Sequence, residues 1–337
     1  MACRRLLGES TVNAMKFTVL IPLFNKAPYI RCTLDSVLAQ RCTDYEILVI
    51  DDGSTDGGDN IVNHLTDDRI RLIRQPNAGV SAARNRGIAE SRGEWVSFLD
   101  ADDWQHPDFL AALLLAQAAC PDAGTVATDF LRLPHTEGPW PPNWRVASGQ
   151  PKIERITDLA ARWVEAPSIC SSAIAARRDL LQSMQPCFPL GESVGEDLDL
   201  WFRLAEKAPL ALVRSPLAAY RVAVQGSLTT QHTPTEIPPF LRRLRDRALT
   251  GLVAPAQRRS ALWMVAQHEV TLARLAIEKG QRLLGLRWLF RSRRAALGRR
   301  WWLTLAMAIF FPTQWVHHWQ HWRIQRASPV ASMTDAG

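Results

Sequence analysis

The stretch WVSFLDADDW, residues 95–104, ends an apolar run in three aspartates, Asp100, Asp102 and Asp103. Carboxylates this close repel one another, so their charge must be offset. Two uses fit these residue types: a divalent cation held between oxygens, or caps on the next helix. A second acidic string, IDDGSTD, supplies Asp51, Asp52 and Asp56. A third, GEDLDLWFRL, opens on Glu196 and Asp197. A carboxylate pocket suits a hard cation and, through it, a nucleoside diphosphate. Taken alone, acids at a helix start are what the helix dipole favours. The two commonest phosphate loops, G-x-G-x-x-G and G-x-x-x-x-G-K-[ST], are absent. The first strand-like run ends IPLFNK, without glycine.

The elements that carry these acids alternate. KFTVLIP reads as a strand ended by Pro22. APYIRCTLDSVLAQ places Ile30, Leu34, Val37 and Leu38 at helical spacing. YEILVIDD, RIRLIRQ and WVSFLDAD read as further strands, with helices predicted over GGDNIVNHLTD and GVSAARNRGIAES. Such alternation implies parallel strands covered on both faces. Ligands of these sheets bind beyond the carboxyl ends of the strands. The polar segments Pro22–Asn25, Asp51–Asp56, Asn77–Ser81 and Asp100–Asp103 all fall at those ends. From Ala119 to Val222 the pattern is less regular: a strand in AGTVATDFLRL, a strand entering a helix in SSAIAARRDLL, and a strand pair in LALVRSPLAAYRV. After QHTPTEIPPF the chain reads as helix to about Trp322.

Composition bounds the class. The chain has 337 residues, 47% of them hydrophobic, with a net charge of +7. At about 150 residues per domain this allows two units. The basic excess lies late, with nine arginines and no acid from Arg282 to Arg326. The six cysteines are scattered, without C-x-x-C, and read as reduced thiols. MACRRLLGESTVNA lacks the apolar core of a signal peptide. Residues 1–15 are expected to be a poorly ordered leader or a mis-assigned start, with Met15 as the natural one and the first fourteen residues untranslated.

As a set, TVLIPLFNK, LDSVLAQ, YEILVIDDGSTD, NAGVSAARNRGI and FLDADD resemble the inverting family 2 glycosyltransferases of the GT-A fold, over about residues 16–222. The resemblance implies an α/β fold: a mostly parallel nucleotide-binding sheet with helices on both faces, plus a C-terminal helical region. It implies a nucleotide-binding half at 16–118 and an acceptor half at 119–222. Pro22 and Phe24 would line the base pocket, and Asp52 would accept from the base N3–H. Asn25, Asn77, Arg84, Asp100 and Ala101 would face the nucleotide-sugar. Arg84 would pair with a phosphate or steady the aspartates. Asp100 and Asp102 form the D-x-D of the family and would hold Mn²⁺ or Mg²⁺ against the diphosphate. Asp103 stays open between this site and a cap on the HPDFLAALLLAQ helix. Asp197 would be the catalytic base, with Glu196 orienting it or binding acceptor. The donor implied is UDP-linked, and the acceptor an envelope glycan or a lipid-linked one. No Q-x-x-R-W motif is present, which favours transfer of a single sugar over long polymerisation.

The tail adds a surface question. Trp301–Phe311 is an apolar run of 11 residues, against about 20 for a spanning helix. Flanking tryptophans and arginines suit a segment lying on a membrane. A helical hairpin packed on the catalytic domain, or a dimer contact, fits the same pattern. The expectation is a helical region at 240–325, a flexible tail at 326–337, and peripheral membrane contact through 282–326. Location would be cytoplasmic, on the inner face of the cytoplasmic membrane, with no nucleic acid partner. His317 and His321 have i,i+4 spacing but no evident third ligand. Two other classes compete: a non-catalytic nucleotide-sugar-binding or membrane scaffold of the same fold, and a nucleotidyltransferase. The latter usually shows a glycine-rich basic loop after strand one.

Overall fold

A computed structural model describes residues 15–134, 144, 146, 149–192, 194–222 and 236–311. The expected leader at 1–14, His317, His321 and the expected tail at 326–337 lie outside the described residues. The chain forms two compact units, residues 1–232 and 233–337.

The first unit begins with the predicted alternation: β1 (Phe17–Leu23), α1 (Ala27–Leu38), β2 (Tyr45–Asp51), α2 (Gly58–Asn63), β3 (Ile70–Arg74), α3 (Val80–Glu90) and β4 (Trp95–Phe98). The strand order is β3-β2-β1-β4, all parallel. Every residue of β2 is buried, as the apolar run at its centre, Ile47 to Ile50, requires of a strand covered on both faces. β1 shows the two faces separately. Phe17, Val19, Ile21 and Leu23 join Ile30, Leu34 and Val37 of α1 in one core. Leu20 points the other way and meets α3 at Gly87. A Cβ at Gly87 would lie 2.0 Å from Leu20 Cδ1, so only glycine lets α3 settle this close to the sheet. Arg84, one turn earlier, is thereby set against the end of the sheet. The strand order reverses at β1, and ligand crevices form at such a point, outside the carboxyl ends.

The parallel order stops at β4. The remaining elements are β5 (Trp104–Gln105), α4 (Phe109–Ala119), β6 (Thr125–Pro134), β7 (Ile153–Ile156), α5 (Leu159–Glu165), β8 (Ile174–Arg177), α6 (Arg178–Gln182), α7 (Glu196–Lys207) and β9 (Leu210–Val222). β8 runs antiparallel to both β4 and β6, while β6 and β9 are parallel. The strand pair expected in LALVRSPLAAYRV is instead one strand of 13 residues. Pro216 does not break it, because the ladder with β6 shifts register at Asp129, opposite that proline. A proline lacks the ladder donor and is tolerated at such an irregularity.

The described residues of the second unit form α8 (Pro239–Thr250), α9 (Pro255–Glu278), α10 (Arg282–Arg291) and α11 (Arg299–Phe310), and the part of the expected helical region from 312 to 325 lies outside them. Ala266, Val270 and Ala273 of α9 pack with Leu289 and Ala295. Buried Arg274 donates from Nε to Thr304 Oγ1 at 2.7 Å, tying α9 to α11. Arg282 Nη2 donates to the Phe311 carbonyl at 2.7 Å, so the start of α10 lies beside the end of α11. Among the described residues, no helix is long and apolar enough to cross a membrane.

Candidate active site

The loops after β1, β2 and β3 are knitted by short polar contacts. Asn25 sits at φ +50°, a left-handed conformation that asparagine tolerates. Its Oδ1 accepts from Thr55 N at 2.8 Å, and its own N–H donates to Ser54 Oγ at 3.1 Å. Asp56 accepts from Ala27 N at 2.7 Å and from Gly58 N at 3.0 Å. Its carboxylate therefore serves the starts of both α1 and α2. Gly53 sits at φ +77°, where a Cβ would come within 3.0 Å of Asn77 N. Asp52 is buried. It accepts from Gln75 Nε2 at 2.7 Å, Ala78 N at 2.9 Å and Gly79 N at 2.8 Å. A carboxylate has about four lone-pair sites, so one is left on Oδ2. Pro22 lies at the end of β1. Phe24 and Asn77 are exposed at the rim.

Beyond β4 the three aspartates separate in role. Asp103 is fully buried. Its Oδ1 accepts from Arg221 N at 2.9 Å, and its Oδ2 from Ser172 Oγ. Ser172 Oγ in turn accepts from Asp100 N at 3.1 Å. Burial first, then Asp102 and Asp100, push the Asp103 carboxyl well above the usual carboxylate range. Asp103 does not cap the next helix. The N-cap of α4 is Asp108, which makes no side-chain cap bond either. Asp103 is the internal brace of the acidic turn.

Asp100 and Asp102 face outward from that brace. Asp102 Oδ2 pairs with Lys26 Nζ at 2.5 Å, and its carbonyl accepts from Arg221 Nε at 2.8 Å. The Arg221 guanidinium lies 3.8 Å over the Trp104 ring. Asp100 Oδ1 accepts from Arg84 Nη2 at 2.8 Å. Ala101 packs its methyl into the core, and its carbonyl accepts from Thr33 Oγ1 at 2.9 Å. Among the described residues no set of three His, Cys, Asp or Glu side chains assembles for a metal. The oxygens Asp100 Oδ2 and Asp102 Oδ1 have no hydrogen bond within the described residues. Mg²⁺-like cations bind through one or two carboxylates plus substrate phosphates. This donor set fits that pattern.

The acid pair is brought in from far along the chain. Gly195, at φ +76°, starts α7, and Glu196 and Asp197 fill its first turn. Helix α3 pins the approach. Asn85 Nδ2 donates to the Phe188 carbonyl at 2.8 Å, and Asn85 Oδ1 accepts from Phe188 N at 2.8 Å. Arg84 Nη1 donates to Glu196 Oε1 at 2.8 Å. Its guanidinium sits 5.3 Å from the Phe188 ring centroid. One buried guanidinium thus joins Asp100 to Glu196. Burial opposes its charge, but Asp100, Glu196 and Asp197 together hold its pKa above the ordinary value. Burial, then Asp197, push the Glu196 carboxyl up, against the pull of Arg84. Asp197 Oδ2 accepts from Ser171 Oγ at 3.0 Å, and Oδ1 from Leu198 N at 2.8 Å.

No motif or spacing in the sequence marks Lys26, Ser171, Ser172 or Arg221. Lys26 follows Asn25 at a strand end, which is the one local signal it had. The two serines lie in an irregular segment, and Arg221 near the end of a strand.

Residues 18–184 match the family model for Glycosyl transferase family 2. Glycosyltransferase GlyA of Streptococcus pneumoniae is 43% identical over 100 residues, 29% of this chain and 14% of that protein. Putative glycosyltransferase EpsH of Bacillus subtilis is 37% identical over 99 residues, 29% of each chain. An uncharacterized glycosyltransferase of Nostoc sp. is 30% identical over 218 residues, 62% of this chain and 65% of that protein. The chain thus spans less than a third of the length of the first two relatives. Among solved structures, S. aureus TarS 1–349 in complex with UDP-GlcNAc aligns with a TM-score of 0.66 at 18% identity, over 92% of each chain. That likeness shows the fold, which is GT-A. Residues 18–184 are thus a glycosyltransferase family 2 segment.

Proposed function

We propose that this chain moves a single sugar from a UDP-linked donor to a hydroxyl of a glycan or lipid-linked acceptor, with inversion at the anomeric carbon. The observation that carries the reading is Arg84, which bonds Asp100 and Glu196 at 2.8 Å each. It unites the D-x-D turn with the acid pair in one charged site. The last lone pair of Asp52 Oδ2 suits the N–H edge of a uracil, with Phe24, Asn25 and Asn77 around the base. In the reaction the acceptor oxygen bonds to the anomeric carbon as the bond to the diphosphate breaks. The acceptor proton goes to Asp197, and the electron pair leaves with the nucleotide. Ser171 and Leu198 N hold that carboxylate in place. Glu196, fixed by Arg84, orients the turn. Asp100 and Asp102 would hold Mn²⁺ or Mg²⁺, which when bound offsets the charge of the departing diphosphate.

The test begins with a thermal-shift screen of nucleotide sugars in Mn²⁺, followed by transfer assays with the best binder. Asp197→Asn should bind UDP like the parent and transfer nothing. Full transfer by that variant would overturn the base assignment. Loss of transfer without Mn²⁺ supports the cation, and full activity in a chelator removes it.

We place the work in cell-envelope polysaccharide synthesis, with the second unit resting on the inner face of the cytoplasmic membrane. Leu283, Phe290 and Phe310 are 85%, 71% and 76% exposed, in a stretch whose charges are all arginines. Exposed apolar side chains among cations suit an anionic lipid surface. Cosedimentation with anionic vesicles should occur and should fall after Phe290→Ser with Phe310→Ser. Unchanged binding by that variant, or none by the parent, would remove the membrane reading.

A further inference from the structure

Lys26 lies on the β1 side of the point where the strand order reverses, and Asp102 on the β4 side. Their side chains meet at 2.5 Å across it, each mostly shielded from solvent. No motif marks Lys26, and it does not cap α1, although it occupies the N-cap position. Its ammonium sits on Oδ2 of the carboxylate whose other oxygen, Oδ1, is open to the proposed cation, so the two compete for the charge of one side chain.

Charge governs how a cation can enter. Around the acidic turn, Asp100 and Asp102 each already have a basic partner, Arg84 and Lys26. Arg221 is bonded to the Asp102 carbonyl, with its backbone N–H on Asp103. A dication arriving alone meets carboxylates that already have basic partners, and three nearby cations, Arg84, Lys26 and Arg221. A dication arriving with a diphosphate brings the negative charge that Lys26 would otherwise lose. Lysine suits such an exchange, because its ammonium is a point charge on a flexible stem of four carbons. Its ring contact with Tyr29, at 5.7 Å, does not fix it elsewhere.

We propose that Lys26 is a positioning residue that couples cation binding at Asp102 to the presence of the nucleoside diphosphate. Without the nucleotide it competes with the cation for Asp102. With the nucleotide it turns to the phosphates and releases the carboxylate. The inference rests on the proposed cation-dependent transfer, but it concerns equilibrium binding and needs no turnover to test.

The experiment is Mn²⁺ titration of the full chain, with and without UDP, following free Mn²⁺ by electron paramagnetic resonance. The parent should bind Mn²⁺ weakly alone and tightly with UDP. Lys26→Met should bind Mn²⁺ about tenfold more tightly without UDP, and the gain from UDP should shrink by a similar factor. By linkage, Mn²⁺ should then improve UDP binding less in Lys26→Met than in the parent. Lys26→Arg, which keeps the charge, should behave like the parent. A purely structural tie predicts the opposite: Lys26→Met would loosen Asp102 and weaken Mn²⁺ both with and without UDP. That result, or unchanged affinity without UDP, overturns the proposal while leaving the cation reading intact. If the parent with UDP binds no Mn²⁺, the cation reading fails and the proposal fails with it. Thermal melts of each variant confirm that the comparison is between folded proteins.

Discussion

Asp52 and Asp197 are both proposed to accept a proton or a hydrogen bond from a substrate, yet they are held in different ways. Asp52 is fastened by two backbone amides and one side chain, all from the segment just after β3. Its loop is an extension of the sheet, and it is as fixed as the parallel strands behind it. Asp197 sits on a helix that starts far along the chain, and its approach is fastened by side chains. Arg84 and Asn85 reach across from α3, and Ser171 from the segment before β8. On the proposed roles, donor binding would depend on backbone geometry, whereas the placing of the base would depend on a few polar contacts. Single substitutions should separate the two sides, and the size of their effects should track how many of those contacts each one removes.

Arg84→Met is the most severe. It removes the partner of Glu196 and Asp100 together, leaving Glu196 buried with a charge near Asp197. Removing one partner of a buried ion pair costs about 3–5 kcal/mol. Urea unfolding should show a loss of that order, and transfer should vanish. UDP affinity in the folded fraction should fall far less than activity does. Equal losses in binding and activity would mean that the two sides are one rigid piece, and the comparison would be wrong.

Asp103→Asn probes the brace beneath the donor side. Its folded carboxyl is pushed well above the usual range by burial, then Asp102 and Asp100. Between the unfolded and folded pKa values the folded chain binds more protons, so this group makes stability fall as pH rises. Asparagine accepts from Arg221 N and donates toward Ser172 Oγ without a charge. The stability of Asp103→Asn relative to the parent should thus grow as pH rises from about 4, by at most about 1.4 kcal/mol per unit. Urea midpoints across that range check it. A difference that shrinks with pH would mean that the charged form of Asp103 is the one the fold stabilises, through Arg221 N and Ser172.

These contrasts also explain what the sequence could show. IDDGSTD, FLDADD and GEDLDLWFRL are local strings at element ends, so their acids and the parallel half of the sheet were legible. Asp103 was legible only as an ambiguity. Its full burial and its bond to Arg221 N, 118 residues away, decide its role, and neither is written in its neighbours. Lys26 and Asp102 are separated by 76 residues, and no spacing rule connects them. β5 and β7, of two and four residues, are too short to carry a period. The register shift opposite Pro216 is what keeps β9 a single strand, and that is a property of its partner β6.

Ser171→Ala is the mildest change and the sharpest test of the base's placement. Ser171 is buried and donates from Oγ to Asp197 Oδ2 at 3.0 Å. Without it, the amide of Leu198 alone would hold that carboxylate. A hydrogen bond to a charged group is worth about 1.5–3 kcal/mol, and water admitted to the site would recover part of it. A fall in kcat of about fivefold to tenfold corresponds to about 1–1.4 kcal/mol. UDP affinity and the melting temperature should stay near the parent's, because no contact of Asp52 or of the acidic turn changes. Ser171→Thr, which keeps a hydroxyl, should recover most of the lost rate. A purely structural serine would lower the melting temperature and the donor affinity together, and threonine would not restore turnover selectively. An unchanged kcat in Ser171→Ala would mean that Leu198 N holds the base unaided, and the acid side would then be fastened by backbone, as the donor side is.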